Sequence, residues 1–381
     1  MSYLDKLLQG VEVEWKPLGV VCEIKTGQSV SKQMISDNPG VYPVINSGRE
    51  PLGYINEWNT DNDPIGITTR GAGVGSITWQ KGKYFRGNLN YSLTILNDNE
   101  IDCRYLFHLL FYMQSDIHAL CTFQGIPALN AGNLKNLQIP IPPLSVQKEI
   151  VRILDSFTEL TAELTAELTA ELTARKKQYD YYREKLLSFE EGDVEWKPLG
   201  QVLVRTKGTS ITAGQMKILH KDGAPLKIFA GGKTVAFVDY KDIPDKDINR
   251  EPSVIVKSRG IIEFEYYDKP FSHKNEMWSY HSKNENIDIK FVYHYLRINE
   301  PYFQNIGGRM QMPQISTPDT DKFLIPIPPL SVQKEIVRIL DSFTELTAEL
   351  TAELTAELTA RKKQYDYYRD LLLTFPKNKI E

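Results

Sequence analysis

Two stretches of this sequence carry side chains able to read the edges of nucleic-acid bases. The first holds Gln28, Arg49, Arg70, Lys81, Lys83, Arg86, Asn88 and Asn90, with Lys25 close to its start. The second holds Lys233, Lys257, Arg259, His273, Lys274, Asn275, Arg309 and Gln311. Arginine pairs with guanine through two parallel hydrogen bonds, and asparagine or glutamine does the same with adenine. Taken singly, each of these residues reads as a solvated charge or a turn former. As a set they cluster at glycine turns: Asn46-Ser47-Gly48-Arg49 and Arg70-Gly71 in one stretch, Ala230-Gly231-Gly232-Lys233 and Arg259-Gly260 in the other.

Other chemistries are poorly supplied. Arg70-Gly71-Ala72-Gly73-Val74-Gly75 lacks the GxGxxG spacing, and no lysine-serine pair follows it, so it reads as a turn rather than a phosphate loop. The six histidines show no HExxH and no Cys/His ligand spacing, which argues against a metal. His108 and His294 fall at equivalent helical positions, where packing partners explain them better than ligation. There is no GxSxG elbow, and no Asn/Asp-Pro-Pro-aromatic tetrapeptide of the kind amino-methyltransferases carry. The three cysteines, Cys22, Cys103 and Cys121, sit in unrelated contexts and make no disulfide framework. A formal net charge of −4 excludes a wholly basic coat, so any nucleic-acid surface must be local. No secretory leader and no long apolar span is evident, which points to an intracellular, cytoplasmic chain.

The elements that position these residues come as a repeat. IPIPPLSVQKEIVRILDSFTELTAELTAELTAELTARKKQYDYYR runs from Ile139 to Arg183 and returns letter for letter from Ile325 to Arg369. VEWKPLG occurs at Val13 to Gly19 and again at Val194 to Gly200, and Pro127 falls on Pro313. YLDKLL near the N-terminus resembles YREKLL from Tyr182, as though a closed two-fold pattern had been cut open within a repeat. The chain ends should therefore meet.

After the proline-rich run, the constant segment predicts a helix from about Ser145, its N-cap, to about Leu187, roughly 60 Å long. Ile150, Leu154, Phe157, Leu160, Leu164, Leu168 and Leu172 make an apolar stripe, repeated as Ile336, Leu340, Phe343, Leu346, Leu350, Leu354 and Leu358. Glu159, Glu163, Glu167 and Glu171 repel mildly on one face, so the helix needs its leucines packed, and the other copy is the natural antiparallel partner. The middles between the constant segments alternate strand-like runs (VYPVINSG, PIGITTRGAGVGSITW, YSLTIL; PLKIFAGG, PSVIVKSRGIIEFEYY) with one helix each, so both read as α+β domains.

This pattern resembles the DNA-specificity subunit of type I restriction-modification systems over essentially the whole chain. The IPIPPLSVQKEIVRILD and RKKQYDYYR flanks and the TAEL repeats carry the resemblance. It implies an α+β fold of two α/β target-recognition domains separated by two long antiparallel conserved helices, pseudo-two-fold and circularly permuted. The corresponding segments are 1–19, a conserved start completing the cycle; 20–138, the first recognition domain; 139–190, the central helix; 191–324, the second recognition domain; and 325–381, the distal helix. It also implies double-stranded DNA as ligand, each domain reading half of a bipartite site, two modification subunits docked beside the helices, and restriction subunits in the full complex. S-adenosylmethionine and the catalytic motifs would belong to the modification subunits, leaving this chain noncatalytic and without a cofactor. An enzyme with a diverged active site, or a coiled-coil scaffold without DNA, are the competing classes. The resemblance assigns no base-reading residues.

Overall fold

The chain forms two compact units, residues 1–167 with 354–381, and residues 168–353, whose boundaries fall within the duplicated long helices. The computed structural model describes residues 3–8, 10, 12–48, 50–190, 192–308 and 312–376. The fold is α+β, and each unit is built on one plan.

In the first unit Glu14–Pro17 pairs antiparallel with Gln138–Ile141. An antiparallel four-stranded sheet follows, ordered Cys22–Thr26, Asn90–Ile95, Ile65–Thr68, Ile77–Trp79. A smaller sheet is ordered Tyr54–Ile55, Pro39–Ile45, Phe85–Arg86, with the last two parallel. The second unit repeats this with Glu195–Pro198 against Leu324–Ile327, a four-stranded sheet of Val204–Lys207, Trp278–His281, Ser253–Lys257 and Glu263–Tyr267, and a smaller one of Val235–Val238, Leu226–Phe229 and Phe271–His273. Alternation explains the core: Ile65, Ile67 and Leu93 face one way, onto the helix Cys103–Tyr112, while Thr68, Asn90 and Ser92 face the other, under the smaller sheet.

The long helices run Leu144–Leu186 and Leu330–Leu373. The first begins before Ser145, because the Pro143 carbonyl accepts from both Val146 N–H (2.9 Å) and Gln147 N–H (3.0 Å). Proline's fixed φ suits a helix start, so Ser145 is not the cap the sequence suggested. Among the stripe residues Ile150, Leu154, Ile336 and Leu340 are buried. Phe157, Leu164, Leu168, Leu172, Phe343, Leu350, Leu354 and Leu358 are half-buried. Leu160 and Leu346 instead remain 53% and 48% exposed. A four-residue step turns the helix about 40° past a full turn, so leucines at that spacing drift around the axis rather than keeping one face.

The two copies pack reciprocally. In the first unit Phe157 of the central helix stacks on Tyr368 of the distal helix, ring centroids 5.1 Å apart. In the second, Tyr182 of the central helix stacks on Phe343 of the distal helix at 5.5 Å. The described chain ends meet in one core, where Leu4 and Leu8 join Leu372, Leu373 and Phe375, and Trp15 Nε1 donates to the Pro376 carbonyl at 3.1 Å.

Each middle is fastened to its helix by a glutamine with no exposed surface. Gln147 Oε1 accepts from Asp102 N–H (2.8 Å), and its Nε2 donates to the carbonyls of Glu100 (2.9 Å) and Pro142 (2.7 Å). Gln333 repeats this with Asp288 N–H (2.9 Å) and the carbonyls of Asn286 (3.0 Å) and Pro328 (2.7 Å). Further along, Asp155 accepts from Arg104 Nε (2.9 Å) and meets His108 Nε2 at 2.8 Å, while Asp341 meets Lys290 Nζ at 2.6 Å and His294 Nε2 at 3.3 Å.

Gln147→Ala leaves one N–H and two carbonyls buried without their partner. We expect it, and Gln333→Ala, to destabilise by about 1–3 kcal/mol, read as a lower urea midpoint. Burial holds His108 and His294 below the ordinary histidine value, against the pull of Asp155 and Asp341. The unfolded chain therefore takes up protons that the fold refuses, and stability present above about pH 6.5 is lost on acidification. Unfolding midpoints should fall between about pH 7.5 and 5.5, and fall less in a His108→Gln/His294→Gln variant.

Candidate nucleic-acid interface

The Arg70 corner is built by glycine. Gly71 and Gly75 adopt φ of 91° and 77°, which lets the chain reverse between Ile65–Thr68 and Ile77–Trp79 with Arg70 outside. Gly75 N–H donates to Thr68 O (2.8 Å) and closes the loop. A Cβ added at Gly73 would stand 3.1 Å from the Ser47 carbonyl, so the corner and the Asn46–Gly48 turn pack together. Thr69 N–H donates to Leu89 O (2.9 Å), and Asn46 Oδ1 accepts from Leu89 N–H (2.9 Å). Gln28 N–H reaches Arg86 O (2.9 Å) and makes an isolated bridge to Gly87. Exposed Gln28, Arg70 and Asn88 thus share one rim with the Asn46–Gly48 turn.

The second unit has its own version of the rim. Thr209 takes the place of Gln28, bridging Lys274 and donating its N–H to His273 O at 2.7 Å. Asn275 follows as Asn88 does, is exposed, and with its amide turned donates to Gly208 O at 2.7 Å. Ser258 hydroxyl donates to Glu276 O, tying exposed Arg259 to the same edge. Half-buried Lys274 pairs with Glu276 at 2.7 Å. Lys233 is exposed in the turn joining Leu226–Phe229 to Val235–Val238.

Lys81 and Lys83 are exposed on a loop turned by Gly82, φ 72°, and Lys83 Nζ lies 4.2 Å above the Trp58 ring. Arg49, Arg309 and Gln311 lie outside the described residues.

Four expected readers are inside. Arg86 is 5% exposed, and its Nη2 donates to Thr60 Oγ1 at 2.7 Å. Asn90 is fully buried beside Thr68 and Thr78, with neither amide atom hydrogen-bonded to protein. Lys257 bonds Glu263 (2.6 Å) and Glu265 (2.8 Å), and these acids raise its pKa despite the opposing effect of burial. His273 is fully buried, which pushes its pKa down to about 4 and keeps it neutral. All four face the layer between the two sheets. Their side chains are buried, so none presents a group at the surface where the notional rim lies.

The sequence reading also passed over apolar residues beside these corners. Ile126 is 62% exposed, Met312 63% and Phe123 54%. The signal available was a large apolar residue directly before each of the matching prolines, Pro127 and Pro313.

Among the described residues no catalytic constellation stands out. Burial pushes the thiols of Cys22 and Cys103 up to about 12 and about 11, far from nucleophilic. Among the described residues no group of His, Cys, Asp or Glu is placed to hold a metal, and no helix is long and apolar enough to cross a membrane.

The family of the type I restriction modification DNA specificity domain matches residues 10–174 and 199–360. The specificity subunit of the Escherichia coli type I restriction enzyme EcoR124I/EcoR124II is 32% identical over 415 residues, covering 99% of this chain and 98% of that one. A solved chain described in connection with assembly and conformational transition of the type I restriction-modification system has a TM-score of 0.67 at 16% identity, covering 95% of this chain and 98% of its own. The S subunit of a type I restriction-modification system from M. genitalium has a TM-score of 0.54 at 20% identity, covering 99% of this chain and all (100%) of that one. Two domain matches that together span most of the chain, and a relative 32% identical along its length, place this chain in the family of type I restriction-modification specificity subunits, whose task is DNA target recognition.

Proposed function

We propose that each recognition domain reads one half of an asymmetric, bipartite site in double-stranded DNA, and that the paired helices set the gap between the halves. One observation carries the reading: two domains of one scaffold but different rim chemistry are mounted on helices identical in sequence from Leu144 to Arg183 and from Leu330 to Arg369. Identical rods under different readers make sense where the separation must stay fixed while the letters vary. In the first domain Gln28, Arg70, Asn88 and the loop of Lys81 and Lys83 supply the contacts. In the second, Arg259, Asn275, Lys274 and Lys233 do so.

The chain is noncatalytic on this reading and binds no cofactor of its own. Two modification subunits, carrying S-adenosylmethionine, dock beside the two copies of the constant segment, with restriction subunits added in the complete cytoplasmic complex. The reciprocal stacks of Phe157 on Tyr368 and of Tyr182 on Phe343 support two equivalent docking faces, since whatever one copy presents the other presents too.

The test is co-expression with the cognate modification subunits and mapping of methylated bases. Arg70→Ala should relax the first half-site alone and Arg259→Ala the second alone, each losing about 1–3 kcal/mol of discrimination where the arginine pairs with guanine. A uniform loss across sequences would reassign that arginine to phosphate. Unchanged binding by both variants counts against the assignment.

The gap is tested by deleting Thr165 to Leu168 together with Thr351 to Leu354, which keeps both aromatic stacks in register. Removing about 6 Å of rise should shorten the unread gap by one or two base pairs and leave both half-site sequences intact. An unchanged gap would show that these repeats do not set spacing.

A further inference from the structure

Each arginine corner is clamped to a second loop, and the clamp is the same in both domains. Gly71 N–H donates to Pro127 O at 2.9 Å, and Leu129 N–H to Thr69 O at 2.8 Å. In the second domain Gly260 N–H donates to Pro313 O at 2.9 Å, and Ile315 N–H to Ser258 O at 3.0 Å. Arg70 bridges Ala128 as Arg259 bridges Gln314. The residue just before each clamped proline is large, apolar and mostly in solvent: Ile126, 62% exposed, and Met312, 63% exposed.

A surface loop is the easiest place for a polar residue, because nothing there must be desolvated, and both loops hold an apolar one instead. The backbone beneath is stiff. Proline fixes its own φ and biases the preceding residue toward extended geometry, and the glycine N–H holds the proline carbonyl. In the first domain Thr122 and Ala128 also exchange hydrogen bonds of 2.8 and 3.0 Å across the base of the loop. In the first domain the result is a stiff apolar finger beside an exposed arginine, and in the second Met312 takes the same place beside Arg259.

Resting on the reading above, we propose that Ile126 and Met312 are wedges that press between stacked bases of the DNA, one in each half-site. The arginine of each corner would bring the phosphate backbone or a base edge to the finger, which fixes the occupant as duplex DNA. The recurrence decides between two kinds of apolar contact. A contact to a thymine methyl is specific to one letter, and it would vary between domains that read different letters. A wedge acts through shape, so it can be shared by domains whose polar rims differ. Isoleucine, methionine and proline all belong to the side chains that enter base steps in this way.

The test uses the chain assembled with its modification subunits and its mapped target duplex, with 2-aminopurine substituted at each adenine-compatible position in turn. The methylated base itself is left out, because its extrusion by a methyltransferase raises fluorescence independently. Binding should raise the signal at one step in each half-site. Ile126→Ala should abolish the rise in the first half-site only, weaken binding about tenfold and leave the methylated sequence unaltered. Ile126→Met should restore both, and Met312→Ala should act on the second half-site alone.

Both side chains are exposed, so unfolding midpoints should not move. Ile126→Gln serves as a second variant with the same expected loss. A parent complex with no bipartite target would overturn the functional reading itself. A parent that reads its target, with signal and affinity unchanged in both Ile126 variants, would overturn the wedge alone. So would variants that weaken assembly with the modification subunits while bound DNA keeps its signal, since the finger would then be a protein contact.

Discussion

A buried side-chain amide holds each recognition domain to its rod, and the placing of everything else depends on it. Gln147 reaches back to Pro142 O, in the proline run that cannot continue a helix, and across to the backbone on both sides of Ile101. The N–H it holds belongs to Asp102, whose carboxylate caps Cys103–Tyr112 by accepting from Arg104 and Tyr105 N–H. That helix then returns Arg104 and His108 to Asp155 on the long helix. Amide and carboxylate therefore fix the domain at two points along one rod, which sets both position and rotation. An apolar contact could supply similar stability, but it would not select a register.

With the attachment constant, variation is free to go deeper than the rim. In the first domain the interior behind the rim is polar: Thr68, Asn90 and Arg86 are buried, and Thr78 keeps its hydroxyl out of solvent. In the second the corresponding layer holds Lys257 with Glu263 and Glu265, beside an apolar cluster of Phe229, Ile255, Phe271 and Met277. Close-packed interiors pass changes of side-chain volume and charge on to the strands around them, so a different interior under one scaffold can alter where its rim residues stand. This gives the buried arginine, lysine and histidine a physical role even though they are not readers.

The sequence disclosed the repeat, the rods and the equivalence of His108 and His294 because these depend on identity and period, which survive without coordinates. It misplaced residues wherever a second layer was involved. Asn88 is exposed and Asn90 buried; both follow glycine turns and both suit a base edge. Strand alternation puts Asn90 opposite Thr68 on the face away from the helices, and only the smaller sheet, whose register no local pattern announces, turns that face inward. Lys257 was misread for the same reason, since its two acids sit on the next strand. Exposed Ile126 and Met312 are not legible for a different reason: an apolar side chain carries no donor or acceptor, so nothing in its type marks it as a contact.

The TAEL segment shows how length can vary without disturbing what is attached. Several threonine hydroxyls donate to the carbonyl four residues back, which in mid-repeat is that of the preceding threonine: Thr165 to Thr161 at 2.7 Å, Thr173 to Thr169, Thr351 to Thr347 and Thr359 to Thr355 each at 2.8 Å. Where this bond forms, one unit supplies the donor and its neighbour the acceptor, a contact made within the repeat itself. The glutamate ladder ends on arginine, with Glu171 bonded to Arg175 and Glu357 to Arg361, so the mild repulsion it carries is offset at the same end whatever the number of units. The drift of about 40° per unit is the one quantity that does not cancel, because it turns whatever lies beyond. Reciprocal pairing constrains this drift: a unit added to one helix alone would break the register of Phe157 with Tyr368 or of Tyr182 with Phe343. Equal numbers of units accordingly separate the stacked aromatics on the two helices, Phe157 from Tyr182 and Phe343 from Tyr368.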